Sequence, residues 1–253
     1  MSIITQTRWK LKTTIVVPTY NEKENIEKLV TALFALPLDL NILIVDDNSP
    51  DGTGQIVDEL KVKTDGKVQV LHRTGKLGLG SAYILGFQTA IQAGADYVGQ
   101  MDADFSHPLA AIPELVSLLD AYDFVLGSRY VKGGSLDENW PFWRKMLSGF
   151  GNFYARTILG MKIRDVTGGF RFWRKETLQA MPLERVLSNG YIFQVEMAYV
   201  AARLGFRCKE IPIHFADRRW GKSKMSFRIQ IEAAFRTWYL LGMYNDLDRK
   251  LNV

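Results

Sequence analysis

Two carboxylates one residue apart, Asp102 and Asp104, are the residues of this chain best placed to do chemistry. They follow the apolar run Ala95-Asp96-Tyr97-Val98-Gly99-Gln100-Met101, which reads as a buried strand. They precede Phe105-Ser106-His107-Pro108, which reads as a turn into a helix. In open α/β sheets ligands gather in the crevice outside the carboxyl ends of the strands. Hard divalent cations take oxygen ligands, and Mg2+ is commonly held by one or two carboxylates together with substrate phosphates. An Asp-x-Asp at a strand end therefore suits a cation held against a diphosphate. The plain alternative is a strand-to-helix turn, where Asp is common for reasons of local hydrogen bonding.

Cations supply a second signal. Asp217-Arg218-Arg219-Trp220-Gly221-Lys222-Ser223-Lys224 is a basic, glycine-containing loop, in which Arg218, Lys222 and Lys224 would make a cationic flap over phosphates. Arg129 and Arg144 add planar donors suited to bidentate phosphate recognition. Each arginine alone is as well explained by a surface ion pair; several in one chain with an Asp-x-Asp favour phosphate chemistry. Asp47, at another strand end, would hydrogen-bond a ribose or base, or cap the helix that follows. His72, His107 and His214 lack zinc-like spacing, and His107 beside Pro108 reads as a helix-start residue.

The glycine-rich loops fail the nucleotide fingerprints. A G-x-G-x-x-G beginning at Gly52 or Gly78 would need glycine where Val57 and Tyr83 stand, and no G-x-x-x-x-G-K-[ST] occurs. Dinucleotide oxidoreductases and P-loop kinases are disfavoured accordingly. The glycines around Lys76 read as a turn that lets backbone approach backbone. Net charge is +5 and the isoelectric point about 9.2, which suits anionic partners. Nucleic acid is not among them: the aromatic residues fall at helical spacing, not interleaved with clustered basic residues. A single cysteine, Cys208, excludes an internal disulfide and suits a reducing compartment. The first twelve residues lack the apolar core of a signal peptide, and no stretch is long enough to span a bilayer.

The elements that must position these residues alternate. Strands are expected over 14–18, 40–45, 68–71, 95–101 and 123–127, with helices from Glu22 to Leu36, through Ile56 and Leu60, over 82–93 and over 108–119. Such alternation predicts a parallel sheet of βαβ units. Beyond Ser128 come a helical stripe from Trp140 to Leu159, a strand through Phe172 and Trp173, a helix near 192–204, a strand near 208–214 and an amphipathic helix from Phe227 to Met243. The 253 residues, 47% of them hydrophobic, suffice for one domain, whose texture changes between 13–128 and 129–253.

Val17-Pro18-Thr19-Tyr20-Asn21-Glu22, Val45-Asp46-Asp47-Asn48-Ser49-Pro50-Asp51-Gly52-Thr53 and Met101-Asp102-Ala103-Asp104 together resemble the family-2 inverting glycosyltransferases of GT-A fold. Gly127-Ser128-Arg129-Tyr130, Asp165 to Arg171 and Asp217 to Lys224 look like the polyprenyl-phosphate (dolichyl-phosphate) mannose synthases within it. The likeness implies a Rossmann-like, mostly parallel sheet flanked by helices, with 13–128 a nucleotide-sugar half and 129–253 an acceptor and membrane-interface half, and transfer of mannose from GDP-mannose to a polyprenyl monophosphate with inversion. It implies that Pro18, Tyr20, Glu22, Val45 and Asp47 hold the guanosine, that Asp102 and Ala103 contact the nucleotide, and that Asp104 binds Mg2+ or Mn2+. Arg129, Arg218 and Lys224 would grip donor phosphates, and Arg144 would reach the acceptor phosphate. Ser106 stands where some members carry a glutamine metal ligand.

The chemistry so implied has a physical logic. A hydroxyl acceptor needs a general base. A phosphate monoester, with its second pKa near 6, arrives ionised and nucleophilic. Positioning and charge stabilisation then suffice. The lipid tail requires a peripheral membrane contact on the cytoplasmic face, assigned to Trp140–Ile158 and Phe227–Met243, with a separate membrane-anchoring protein as a further partner. The alternatives are a family-2 enzyme using another nucleotide sugar of UDP-glucose type or a carbohydrate acceptor, and a non-catalytic nucleotide-sugar sensor.

Overall fold

Short β-branched, apolar runs set the sheet. Along Thr13–Thr19 (β1) successive side chains point to opposite faces, so that Ile15 and Val17 join one apolar cluster and Val16 the other. The computed structural model describes residues 11–217 and 227–247. Strands Leu40–Asp46 (β2), Val68–His72 (β3) and Tyr97–Gln100 (β4) join β1 in parallel, linked by helices Ile26–Phe34 (α1), Thr53–Lys63 (α2) and Leu79–Gln92 (α3). Helix Ile112–Leu118 (α4) leads to Phe124–Ser128 (β5). The remainder contributes Ser135–Leu136 (β6), Phe142–Ile158 (α5), Arg171–Arg174 (β7), Lys175–Ala180 (α6), Tyr191–Arg203 (α7), Cys208–Pro212 (β8), His214–Phe215 (β9) and Phe227–Met243 (α8).

Seven strands form one sheet in the order β3-β2-β1-β4-β7-β5-β8, and β6 and β9 pair separately. The sheet is mixed, because β7 runs antiparallel to both β4 and β5 while every other neighbouring pair is parallel. Helices α1, α2 and α4 cover one face; α3, α7 and the inner sides of α5 and α8 cover the other. One consequence positions the site: the carboxyl ends of β1, β2 and β4 and the amino end of β7 all lie along the same edge.

Helix α1 begins at Ile26, later than the expected Glu22. The intervening residues are tied across the edge instead: the Glu22 N–H donates to Thr53 Oγ1 at 3.0 Å and the Lys23 N–H to Asp51 Oδ2 at 3.1 Å. Among the described residues no helix is long and apolar enough to cross a membrane.

Candidate active site

The β2–α2 turn divides its polar residues between structure and cleft. Asp46 accepts from Thr19 Oγ1 (2.9 Å), from Ser49 Oγ (2.5 Å) and from the Ser49 N–H (2.9 Å). Ser49 Oγ in turn accepts from the Asn21 N–H at 3.0 Å. Asp46, Ser49, Asp51 and Thr53 thus staple the β1–α1 and β2–α2 loops together, and Asp47 is left to face the crevice.

That crevice is a cavity of about 420 Å³ at the common strand edge. It brings together Pro18, Tyr20, Glu22, Asp47, Asp102, Ala103 and Asp104, all expected from the sequence, with Lys76, Gly78, Thr167, Gly169, Tyr191 and Gln194. Val45 is not among the lining residues: its side chain is fully buried in the apolar cluster under α3. Asp47 lies 3.0 Å from Arg73 Nη1, at ion-pair distance but without hydrogen-bond alignment. Burial raises the Asp47 carboxyl above its ordinary value, opposed by Arg73 and by the backbone N–H groups of Gly78 and Leu77. Arg73 also donates to the Gly78 carbonyl (3.2 Å) and Ser81 Oγ (2.8 Å), so it anchors the glycine loop to the site. The backbone approach expected of that loop occurs at Gly80, where a Cβ would collide with the Ser188 carbonyl oxygen. Lys76 stands over the Tyr20 ring, 4.7 Å from its centroid, and lines the cleft beside it.

At the end of β4, Asp104 is buried, and one of its oxygens accepts from the Ser106 N–H at 3.1 Å. Phe105 between them holds φ at +62°, a left-handed conformation costing an L residue roughly 1–3 kcal/mol. Asp102 is half-buried; Tyr83 Oη lies 3.5 Å from it, and its backbone N–H donates to His107 Nδ1 at 3.3 Å. The His107 ring is buried, stacked on Phe170 at 4.8 Å, and burial lowers its pKa to about 4. A neutral imidazole with Nδ1 as acceptor follows, so His107 braces the Asp-x-Asp backbone. Its placement next to Pro108 conceals that role in the sequence.

A divalent cation fits these residues. The Ser106 hydroxyl oxygen is buried beside Asp104 with no hydrogen-bond partner among the described residues. Among the described residues no cluster of three or more His, Cys, Asp or Glu exists to hold a metal by protein alone. One or two carboxylates plus substrate oxygens is the donor set Mg2+ prefers.

The expected phosphate-gripping cations are disposed differently. Arg129 is buried and commits Nε and Nη2 to Asp165, both at 2.7 Å, with Nη2 also reaching Thr167 Oγ1 at 2.8 Å. It is not among the cleft-lining residues, because a charge this deep requires a paired partner. Arg129 instead carries Thr167, which does line the cleft. Burial pushes the Asp165 carboxyl up, but Arg129 outweighs it and holds the group below its ordinary value. Arg144 stacks on Trp140, 3.6 Å from the ring centroid, with Nη1 3.4 Å from Asp217. Arg218 and Lys224 lie outside the described residues.

Helices α5 and α8 pack together, Trp238 Nε1 donating to Tyr154 Oη at 2.8 Å. Phe142, Trp143, Met146, Phe150 and Phe153 of α5 and Phe235, Trp238 and Tyr239 of α8 are exposed, while Leu240 and Tyr244 are buried. The α8 stripe is thus divided between core and surface.

Residues 14–181 match the family "Glycosyl transferase family 2". Polyprenol monophosphomannose synthase of Mycolicibacterium smegmatis is 42% identical, over 96% of this chain and 91% of its own length. Undecaprenyl-phosphate mannosyltransferase of Micrococcus luteus is also 42% identical, over 94% of this chain and 98% of its own. Glucosyl-3-phosphoglycerate synthase from Mycobacterium tuberculosis, crystallised with Mn2+, uridine diphosphate and phosphoglyceric acid, superposes with a TM-score of 0.63 at 16% identity, covering 92% of this chain and 78% of that one. At that identity the likeness establishes a shared fold.

Proposed function

The chain belongs to glycosyl transferase family 2 and is a glycosyltransferase, and from that premise we propose that it moves mannose from GDP-mannose to a polyprenyl monophosphate with inversion. The observation that carries the reading is the Asp102–Asp104 pair beside the Ser106 hydroxyl, which has no partner among the described residues, set along a cleft that has Pro18, Tyr20, Glu22 and Asp47 at one end. The activities named for the two relatives at 42% identity support both the sugar and the lipid phosphate.

Each residue then has a physical task. Tyr20 and Pro18 offer apolar surface to the base, while Glu22 and Asp47 accept hydrogen bonds from it and the ribose. Asp102 and Ala103 would contact the nucleotide, and Asp104 with Ser106 would hold Mg2+ or Mn2+, which when bound supplies positive charge against the leaving diphosphate. Lys76 adds a fixed cation at the nucleotide end. Arg218 and Lys224 would close over the donor phosphates, and Arg144, beside the exposed α5 face, would meet the acceptor phosphate. The acceptor arrives ionised, so no carboxylate in the cleft has to take a proton. The exposed aromatic residues of α5 and α8 would rest in the interfacial region of the cytoplasmic leaflet, where the lipid acceptor is anchored.

The reading is tested with labelled GDP-mannose, UDP-glucose and UDP-galactose, each offered with Mg2+ and polyprenyl phosphate and scored for lipid-extractable label. Label from GDP-mannose alone is expected, and Asp104→Ala should lower it by at least about 100-fold. Label from a UDP-sugar, or transfer without the lipid phosphate, would replace this reading by a different donor or a hydroxyl acceptor.

A further inference from the structure

Gln194 on α7 is 3% exposed, yet its side chain reaches the cleft. The orientation of its amide can be deduced. An indole nitrogen only donates, and Trp173 Nε1 donates to Gln100 Oε1 at 3.0 Å. The other end of the Gln100 amide is therefore Nε2, which donates to Gln194 Oε1 at 2.7 Å and to the Gly169 carbonyl at 3.2 Å. With its Oε1 so engaged, Gln194 must turn Nε2 the other way, past Gly169, where a Cβ would stand 3.4 Å from that nitrogen. Among the described residues Nε2 meets no hydrogen-bond acceptor. The backbone beneath is fixed as well, because the buried Arg171 donates from Nη1 to the Gln194 carbonyl at 2.7 Å and from Nη2 to the Val166 carbonyl at 2.8 Å. A tryptophan, two glutamines and an arginine thus hold one amide NH2 group in the floor of the cleft. That group is open to the cleft and not sealed beneath it, so its acceptor is water in an empty cleft and a ligand oxygen in a filled one.

The sheet order indicates which part of a donor would lie there. Pro18 stands near the end of β1 and Tyr20 and Glu22 follow that strand, while Asp47 follows β2; Asp102 and Asp104 follow β4; Gly169 precedes β7, the next strand across. A nucleotide sugar is linear in the same sense: nucleoside, diphosphate, hexose. Strands lie about 4.8 Å apart, so a diphosphate over β4 leaves its sugar over β7. The geometry points to Gln194 as a sugar-recognition residue, its Nε2 donating to a hydroxyl oxygen of the donor hexose. This inference rests on the nucleotide-sugar reading above, but not on which nucleotide or hexose is used.

Gln194→Glu keeps the shape and the bond from Gln100 while replacing the donor by an oxygen. Gln194→Met removes the donor without adding charge and guards against misfolding of the first variant. Affinities for GDP, GDP-mannose, UDP and UDP-glucose, measured by calorimetry with Mg2+, separate nucleotide from sugar. Both variants should bind the free nucleoside diphosphate within about twofold of the parent and the matching nucleotide sugar about tenfold or more weakly. Among deoxy analogues of that sugar, one should bind variant and parent alike, identifying the hydroxyl. Equal loss for nucleotide and nucleotide sugar, or no loss for either, would overturn the inference. A parent chain that prefers UDP-glucose would overturn the mannose reading alone, with Gln194 then judged on glucose.

Discussion

Arg129 illustrates how a residue's type can be read from sequence while its task cannot. Its type suits phosphate, but its partner Asp165 lies 36 positions away, and only the fold brings them to 2.7 Å. Removing one member of a buried ion pair typically costs 3–5 kcal/mol, because the other charge stays buried and unpaired. In a domain of this size that corresponds to roughly 6–20 °C of melting temperature. Arg129→Met is therefore expected to melt well below the parent. The pH dependence has a definite sign. With Arg129 present, Asp165 is held below its ordinary 3.8 and contributes stability above the acid range, lost only as pH falls through the depressed value. Without the guanidinium, burial is the dominant influence and raises the carboxyl instead. The deficit of Arg129→Met should then be largest at neutral pH and shrink as pH falls and Asp165 protonates. Melting curves from pH 4 to 8 check this; a normal melting temperature with loss of donor affinity alone would make Arg129 a phosphate ligand after all.

At the level of elements, strand–helix alternation through β5 is legible because each strand is a short apolar run and each helix carries a stripe at 3.6-residue spacing. The direction of β7 is not. Arg-Phe-Trp-Arg reads as a strand either way round, and its antiparallel run is set by pairing with β4 and β5. That reversal brings Thr167 and Gly169 to the site edge, so the sugar end of the cleft is the part least visible from spacing alone. Helix α7 supplies the other half of that end and is held from behind. Tyr244, just past α8, donates to Glu196 Oε1 at 2.7 Å, and Glu196 Oε2 accepts from the Ser188 N–H at 3.0 Å. The Ser188 carbonyl abuts Gly80 at the start of α3, so four hydrogen-bonded or packed groups lead from α8 to the glycine loop. Tyr244→Phe leaves a buried carboxylate short of one donor, a loss of about 1–3 kcal/mol. A melting temperature lowered by several degrees is expected, with faster amide exchange at 187–190 as well as in α8. Faster exchange confined to α8 would show that the two are not linked.

Over the whole molecule, the exposed aromatic face of α5 and α8 and the net charge of +5 favour an anionic lipid surface. Isolated exposed apolar residues are ordinary, but eight large ones on two packed helices form a patch that a soluble monomer seldom leaves bare. The α5 stripe is visible in the sequence, whereas its outward orientation is not, since the same spacing would serve for core packing. Replacing Phe142, Trp143 and Phe150 by Ser removes three side chains that are already in water, so the melting temperature should change little. Each would otherwise bury part of a ring in the interface. With full burial of a large apolar side chain worth about 1.5–3 kcal/mol, half-burial of three predicts at least a tenfold weaker partition onto vesicles. Flotation with phosphatidylglycerol-containing liposomes should show that loss, and added salt should weaken the parent further by screening its charge. Turnover should fall on polyprenyl phosphate embedded in vesicles and persist on the same lipid dispersed in detergent, because the cleft residues are untouched. Equal flotation of parent and triple variant would leave the aromatic face without a membrane role, and equal loss of turnover in detergent would place it in acceptor binding.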